Sequence, residues 1–412
     1  MRSIRHGKPF YGWYIVLAGA VIMGADIGII SNCASQFIKP VSQDLGVTRA
    51  AVSMNQTIMS FCYMLTAFMA GRIFTRNDLG RILKIDLFVV SAAYFCYSFA
   101  SSTLQLYIIS VVVGFGNALL GALCFSVIIP NWFIENRGRA IGLSFMGSGV
   151  GGMIFNYLAG QWLQLYGWRM TYRILAVCLF VIMAPFILFV LKVKPSEKGL
   201  EPYGSHHDAR ALDDAREHEG KTFKEAVSSP SFWIICLGGA ILSACTNTSI
   251  QTISPHLSDV GYSASFAALM VSAAMGSLAI GKMVLGQLYD RVGPKLATLI
   301  SGLSSTLGLA GLLFCRIKPA LALIIWGAGL GAAFGSVAVP IITQSVFGRK
   351  EYTAIYGFIS GMTTMVTVVI PTVNNMVYDR FGSYDPAYIV TMALSVVAAY
   401  IFTSFFSRLE KR

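Results

Sequence analysis

Gly286-Gln287-Leu288-Tyr289-Asp290-Arg291-Val292-Gly293-Pro294-Lys295 separates two long apolar runs and carries an Asp-Arg pair, two glycines and a lysine in ten residues. A looser copy, Gly71-Arg72-Ile73-Phe74-Thr75-Arg76-Asn77-Asp78-Leu79-Gly80-Arg81, begins 215 residues earlier. A charged loop that recurs at about half the length of a 412-residue chain points to two homologous halves. A second echo has nearly the same spacing. Ser126-Val127-Ile128-Ile129-Pro130 and Ser336-Val337-Ala338-Val339-Pro340 lie 210 residues apart, and each precedes a loop with arginine, Asn136-Arg137-Gly138-Arg139 and Gly348-Arg349-Lys350. Proline within a membrane helix frees a carbonyl and permits a bend, so kinks are expected at Pro130 and Pro340.

The composition says what surrounds these loops. Hydrophobic residues make up 55% of the chain and charged residues 12%, about half the charged share of an ordinary soluble domain. Mean hydropathy is +0.66. A membrane span needs about 20 apolar residues. Twelve such spans are read at 13–37, 50–72, 85–102, 104–130, 140–163, 170–192, 231–257, 263–287, 297–315, 319–345, 353–378 and 386–406. The expected fold is therefore an all-α membrane protein of twelve transmembrane helices in two pseudo-symmetric six-helix bundles. Residues 1–192 and 230–412 are the bundles, and 193–229 is a cytoplasmic linker.

The net charge of +12 raises the question of nucleic acid, and its distribution answers it. With both termini cytoplasmic, 23 of the 31 Lys and Arg fall on the cytoplasmic side and seven outside (Lys39, Arg49, Arg169, Arg173, Arg316, Lys318 and Arg380), while Lys282 is inside a span. That is the positive-inside asymmetry of an inner-membrane, multi-pass protein, with the lipid bilayer as its partner and no nucleic acid. Arg2, Arg5 and Lys8 precede an apolar run that continues past Ala20, which reads as an uncleaved first span. The eight cysteines form no Cys-x-x-Cys pair, and neither they nor His206-His207 have metal-ligand spacing. No metal or cofactor is expected, and the cysteines read as buried small hydrophobes. The linker reads as solvated, with a short amphipathic helix near 208–226. Glycine clusters, Gly147, Gly149, Gly151, Gly152 and Gly160 in span 5 and Gly327, Gly329, Gly331 and Gly335 in span 10, mark close helix contacts.

Six spans, a long central loop, six more spans and Gly286, Asp290, Arg291, Gly293 and Lys295 at their spacing resemble the major facilitator superfamily along essentially the whole chain. The resemblance implies a gating motif at those residues and at Gly71 and Arg81. The first copy departs from the pattern, with Thr75 where the family usually has Asp and two extra residues in the loop. Gly12-Trp13, Trp132-Phe133 followed by Arg137-Gly138 with Ala140 and Gly142, and Gly167-Trp168-Arg169 with Tyr172 are similar to the branch of monocarboxylate transporters and oxalate–formate antiporters. In that branch a substrate-binding Arg usually occupies the position of Lys282.

Charges within spans are costly, about 2.5–3.5 kcal/mol on insertion scales, so each is a candidate for function. Asp26 lies in span 1 and is read as the one acidic residue at mid-membrane depth. It either exchanges protons or makes a structural hydrogen bond. Lys282, one turn before Gly286, either snorkels to the interface or, as the resemblance implies, binds a carboxylate. Ser31 and Asn32 on span 1, and Asn247 and Gln251 four residues apart on one face of span 7, either line a cavity or join helices. His256 reads as an interface or capping residue rather than a proton sensor. Asn117, Asn156, Asn374 and Asn375 are weaker candidates, and Trp326 either walls the site or, as an aromatic in a span does by default, packs in the core. Span 11 carries no cation, so one intramembrane cation fits one carboxylate group.

Together these residues and the resemblance lead to a secondary transporter, monomeric and not an enzyme. It would carry a small organic anion, foremost a monocarboxylate, by proton symport or anion exchange. The substrate would be held by Lys282, Asn247, Gln251, Asn32 and Trp326, with Asp26 coupling the proton. An exporter of drug-like or zwitterionic compounds and a transporter-like sensor are the alternatives.

Overall fold

The computed structural model describes residues 10–76, 78–204 and 220–409. The calls on Arg2, Arg5, Lys8, His206 and His207 lie outside the described residues, as do the side chains of Thr75 and Asn375. Ten helical runs are long and apolar enough to cross a membrane. Two of them are each a pair of helices joined at one glycine. Gly167 (φ 74°, ψ 172°) breaks the first and Gly293 (φ 79°, ψ 169°) the second, in a region of backbone space that favours glycine. The count is therefore twelve, as the hydrophobic runs indicate.

The helices are α1 Gly12–Asn32, α2 Arg49–Arg76, α3 Leu79–Cys96, α4 Thr103–Trp132, α5 (137–166), α6 (168–190), α7 Pro230–Asp259, α8 (264–292), α9 (294–313), α10 Ala320–Phe347, α11 Tyr352–Phe381 and α12 Asp385–Leu409. They form two six-helix bundles, α1–α6 and α7–α12. Of the cysteines, Cys178 is half-buried and Cys96 exposed, and the other six are buried as expected.

The bends do not fall on the prolines. Helix α4 breaks at Gly121 (φ −88°, ψ −146°), and Pro130 rides inside the segment Ala122–Trp132 that follows. Helix α10 widens into π-helical turns at Gly327–Gly331 and Phe334–Ala338, and Pro340 sits in the first turn of the regular helix after them. The 210-residue offset that relates Ser126 to Ser336 also relates Gly121 to Gly331, so the two breaks are equivalent. The weak point is the glycine, where backbone freedom is greatest, and a proline near a helix start costs little. Helix α1 has its own π-helical turn, Asp26–Asn32, which begins at the buried acid.

Small residues set the packing. In lipid, helices are held by close contact rather than by the hydrophobic effect. A Cβ on Gly28 of α1 would lie 2.7 Å from the carbonyl carbon of Gly151 in α5, and one on Gly151 would run into the Gly24 carbonyl. On its other side α5 meets α8, where a Cβ on Gly286 would sit 3.0 Å from the Cα of Gly142 and one on Gly149 2.8 Å from the Cβ of Ala279. A Cβ on Gly71 of α2 would be 2.5 Å from the Ala354 Cβ of α11.

The segment between α6 and α7 is docked at both described ends. Tyr203 forms a bridge with Phe133 after α4 and packs among Phe10, Trp13 and Phe133. Gly220 forms a bridge with Gly348 after α10, and Phe223 donates its amide to Glu351 Oε2 at 2.7 Å. A short helix, Phe223–Val227, with a Thr222–Glu225 capping box, is what the described residues hold of the expected linker helix. The face of the bundle carrying this segment is called the linker face below.

Gly151→Ala places a methyl group where the α1 backbone runs. It is expected to cost about 1–3 kcal/mol, read as a lower melting temperature of the purified protein in detergent, whereas Gly382→Ala, beyond α11 with open space around it, tests only the backbone term.

Candidate functional site

A cavity of about 220 Å³ lies among α1, α2, α4 and α11. Its polar lining is Ser31, Gln56, Ser60, Tyr63, Asn117 and Thr364, with Ile27, Met59 and Ala122 supplying apolar surface. Thr364 comes from the second bundle and the rest from the first, so the cavity is shared between halves. Ser31 and Asn117 are expected candidates. Gln56, Tyr63 and Thr364 are not, because single polar residues in apolar helices give no sequence sign of which way they face.

Lys282 is 7% exposed, and its Nζ donates to Ser148 Oγ at 2.6 Å. The carbonyl of the same Ser148 accepts from Asn32 Nδ2 at 3.4 Å. Ser148 thus joins α1, α5 and α8, and with them the two halves. It stands between Gly147 and Gly149, where its neighbours let both partner helices come close. A hydroxyl embedded in a glycine stripe is the sequence signal for it. No carboxylate lies within ion-pair distance of Lys282 among the described residues, so a buried ammonium is held there by a neutral hydroxyl. Snorkelling to the interface is not what the side chain does.

Asp26 is fully buried at the first residue of the π-helical turn, and Asn117 Nδ2 reaches its two oxygens at 3.5 and 3.4 Å. A second buried acid corrects the expectation that Asp26 is the only one at depth. Asp86 on α3 is 7% exposed. The sequence reading starts the third span at 85 and leaves Asp86 at its edge. The structure starts the helix at Leu79, because Asp78 caps it by accepting the amides of Gly80 and Arg81 at 3.0 and 3.4 Å. Two turns of helix with Arg81 and Lys84 on the outside therefore precede Asp86.

The two charged loops do different things. Asp290 accepts the amide of Gly138 at 2.9 Å and that of Arg139 at 2.7 Å. These are free N–H groups of the first turn of α5, whose own N-cap, Asn136, makes no side-chain cap bond. The second half therefore supplies the cap for a helix of the first half, where the helix dipole adds to the attraction. Arg291 lines a small cleft beside it with Asn136, Arg139, Gln287 and Asp290. Gly293 supplies the turn. In the first loop Gly71 packs on α11, but Asp78 caps its own helix and Arg81 pairs with Asp78 at 3.3 Å on the surface. The contact that Arg81 makes is thus local to its own helix. Glu351 at the start of α11 makes no side-chain cap there and binds Phe223 instead.

Other expected residues lie apart from the cavity. Trp326 is half-exposed, its indole donates to Ser304 Oγ on α9 at 3.1 Å, and it is not among the residues lining the cavity. Gln251 Nε2 donates to Asn247 Oδ1 at 2.9 Å on an exposed face of α7. Asn156 binds Gln36 at 2.8 Å, and Asn374 donates to Thr248 Oγ1 at 3.3 Å. His256 Nε2 meets the Leu312 carbonyl at 3.1 Å, an interface contact between α7 and α9.

The family model described as Major Facilitator Superfamily matches residues 16–341. "Monocarboxylate transporter 12-B" of Danio rerio is 22% identical over 406 residues, covering 92% of this chain and 84% of the relative. The "Uncharacterized MFS-type transporter YhjX" of Escherichia coli (strain K12) is 22% identical over 358 residues, covering 84% of this chain and 83% of its own. Among solved structures, the proton:xylose symporter XylE superposes with a TM-score of 0.75 at 14% identity over 96% of both chains. The human organic anion transporter MFSD10 (TETRAN) gives 0.69 at 12% identity, over 96% of this chain and all of its own. These last two speak to the fold. With twelve helices in two bundles, a cavity shared between them and a family match over most of its length, the chain belongs to the Major Facilitator Superfamily, whose fold is that of multi-pass membrane transporters.

Proposed function

We propose that this protein moves a small organic monoanion across the inner membrane by alternating access, with Lys282 as the carboxylate-binding group. The observation that carries this reading is the buried Lys282 ammonium, at the contact of the two halves, with Ser148 and no carboxylate beside it. A lone buried charge is unfavourable, and an anionic ligand supplies its counter-charge. The cavity shared by the halves, about 220 Å³ and without Lys282 in its lining, favours a ligand of few heavy atoms, since drug-sized ligands occupy roughly 300–1,000 Å³, and the reading requires the ligand to reach Lys282 when the halves rock. A relative carrying the name of a monocarboxylate transporter, and a fold neighbour that is an organic anion transporter, support the same class. Asp26, whose partner Asn117 lines the cavity, is the group through which a proton is coupled.

The linker face is taken as cytoplasmic, with both termini on that side and residues 193–229 as the tether between bundles. The inter-half contacts at Asp290, Gly286, Lys282 and Ala354 then close the cytoplasmic end. Opening that end requires Asp290 to leave the α5 amides. A single chain holds the whole site, and it acts as a monomer. A second reading, transport of a neutral or zwitterionic compound, is favoured by one observation: every polar group lining the cavity is uncharged.

Counterflow in proteoliposomes with lactate, pyruvate, formate, oxalate and aromatic acids, at two pH values, separates the two readings. Monoanions are expected to exchange and oxalate to be poorly accepted. Lys282→Ala is expected to lower uptake of the accepted acid at least about tenfold, as for loss of a buried charged partner, with normal amounts of folded protein in the membrane. Unchanged uptake by that variant rules out Lys282 as the binding group.

Asp290→Ala removes the cap on α5, a change of about 1 kcal/mol, which is expected to shift the closed–open balance roughly fivefold toward the cytoplasm-open state. Labelling of a cysteine introduced at Gln287 by a thiol reagent applied from the cytoplasmic side reads this as faster modification.

A further inference from the structure

Asp86 has no part in the transport cycle proposed above, yet it is more than nine-tenths buried and its Oδ2 has no hydrogen-bond partner among the described residues. Its other oxygen is turned to α4, where a Cβ on Gly116 would lie 2.7 Å from Oδ1. The next residue on α4, Asn117, donates to Asp26. A Cβ on Gly121, one turn further, would in turn lie 3.0 Å from Asp26 Oδ2. Two carboxyl groups from α1 and α3 thus flank one stretch of α4, at positions five residues apart. Among the described residues, the other titratable groups that interact with them are the Tyr63 phenol from α2 and the Cys124 thiol from α4, and neither is a cation. Lys282 is held by Ser148 on the far side of α5.

Two negative charges buried against the same stretch of one helix, one with a single amide donor and the other with an unpartnered oxygen, would be strongly unfavourable in lipid. One bound proton removes one of the two charges, and the unpartnered Oδ2 of Asp86 is an oxygen open to it. We propose that Asp26 and Asp86 form a carboxyl pair that holds one proton within the first bundle, set beside the cavity and joined to it through Asn117. The pair deepens, and rests on, the proton-coupled reading above. It adds a second carboxyl group and separates the ion site from the substrate site. Asn117 faces both, so the orientation of its amide links an occupied cavity to the charge of the pair. The proton binds to and leaves a carboxylate oxygen, and no other bond changes.

Infrared pH-difference spectra of the protein in phosphatidylcholine vesicles detect a protonated carboxylic acid without any substrate. The wild type is expected to show one titrating buried carboxyl band. Asp26→Asn and Asp86→Asn should each abolish it or displace its midpoint by about one pH unit or more, while Asp86→Glu should keep it. A band in Asp86→Asn that superimposes on the wild type overturns the pair, as do two bands each removed by its own variant alone. A band set by sodium concentration instead of pH also overturns it, in favour of a metal cation. Failure of lactate, pyruvate and formate to exchange in the same vesicles would count against the anion reading, and the infrared result would stand or fall separately.

Discussion

The backbone of α5 runs against α1 on one side and α8 on the other, closer than any side chain larger than glycine permits. Gly147 and Gly151 admit α1, and Gly142 and Gly149 admit α8. Lipid offers no gain from hiding one apolar surface against another, so this proximity is what gives the helices their van der Waals contact and brings polar groups within reach of each other. The joint at Ser148 exists because of it. So does the arrival of Asp290 at the first turn of α5. Larger residues here would hold the halves apart, and the hydrogen bonds that define the closed end would have no partners.

Because these contacts are both intimate and few, they suit a moving interface. A glycine seam resists compression but offers little specific attraction, and the attraction along this seam is carried by a few polar contacts, the Asp290 carboxylate on two amides and the Lys282 ammonium on Ser148. The opposite pairing, α2 with α11, is made of Gly71, Ala354 and Gly357, and among the described residues no equivalent carboxylate caps the α11 terminus. The two seams that the pseudo-symmetry relates are therefore unlike in kind, one electrostatic and steric, the other steric and aromatic through Phe68 and Phe358.

Much of this was legible in the amino-acid sequence. Span count follows from apolar run length, and the breaks within merged helices fall at Gly167 and Gly293, both visible as loop glycines. The register of the Gly286–Lys295 loop places Lys282 one turn inside the membrane. What was not legible depends on neighbours. Pro130 and Pro340 drew attention to bends that occur at Gly121 and Gly331, because strain settles at the most permissive residue nearby. Trp326 could be assigned to neither the site nor the packing, because a helical residue's face cannot be known until the helix beside it is known. Asp86 was missed because one cap, Asp78, lengthens α3 by two turns and carries the acid inward. Ser148 was passed over because glycines on either side made the stretch look purely steric.

The cap on α5 also bears on how the protein is made. Membrane helices are synthesised in order, and the first bundle is complete before residue 290 exists. Until then the amides of Gly138 and Arg139 are served by water at the linker face, since their own Asn136 does not bond them. The nascent first half thus reaches the membrane with an exposed, partly positive helix end. That end marks the place where the second half must dock, and its satisfaction is the sign that assembly has finished.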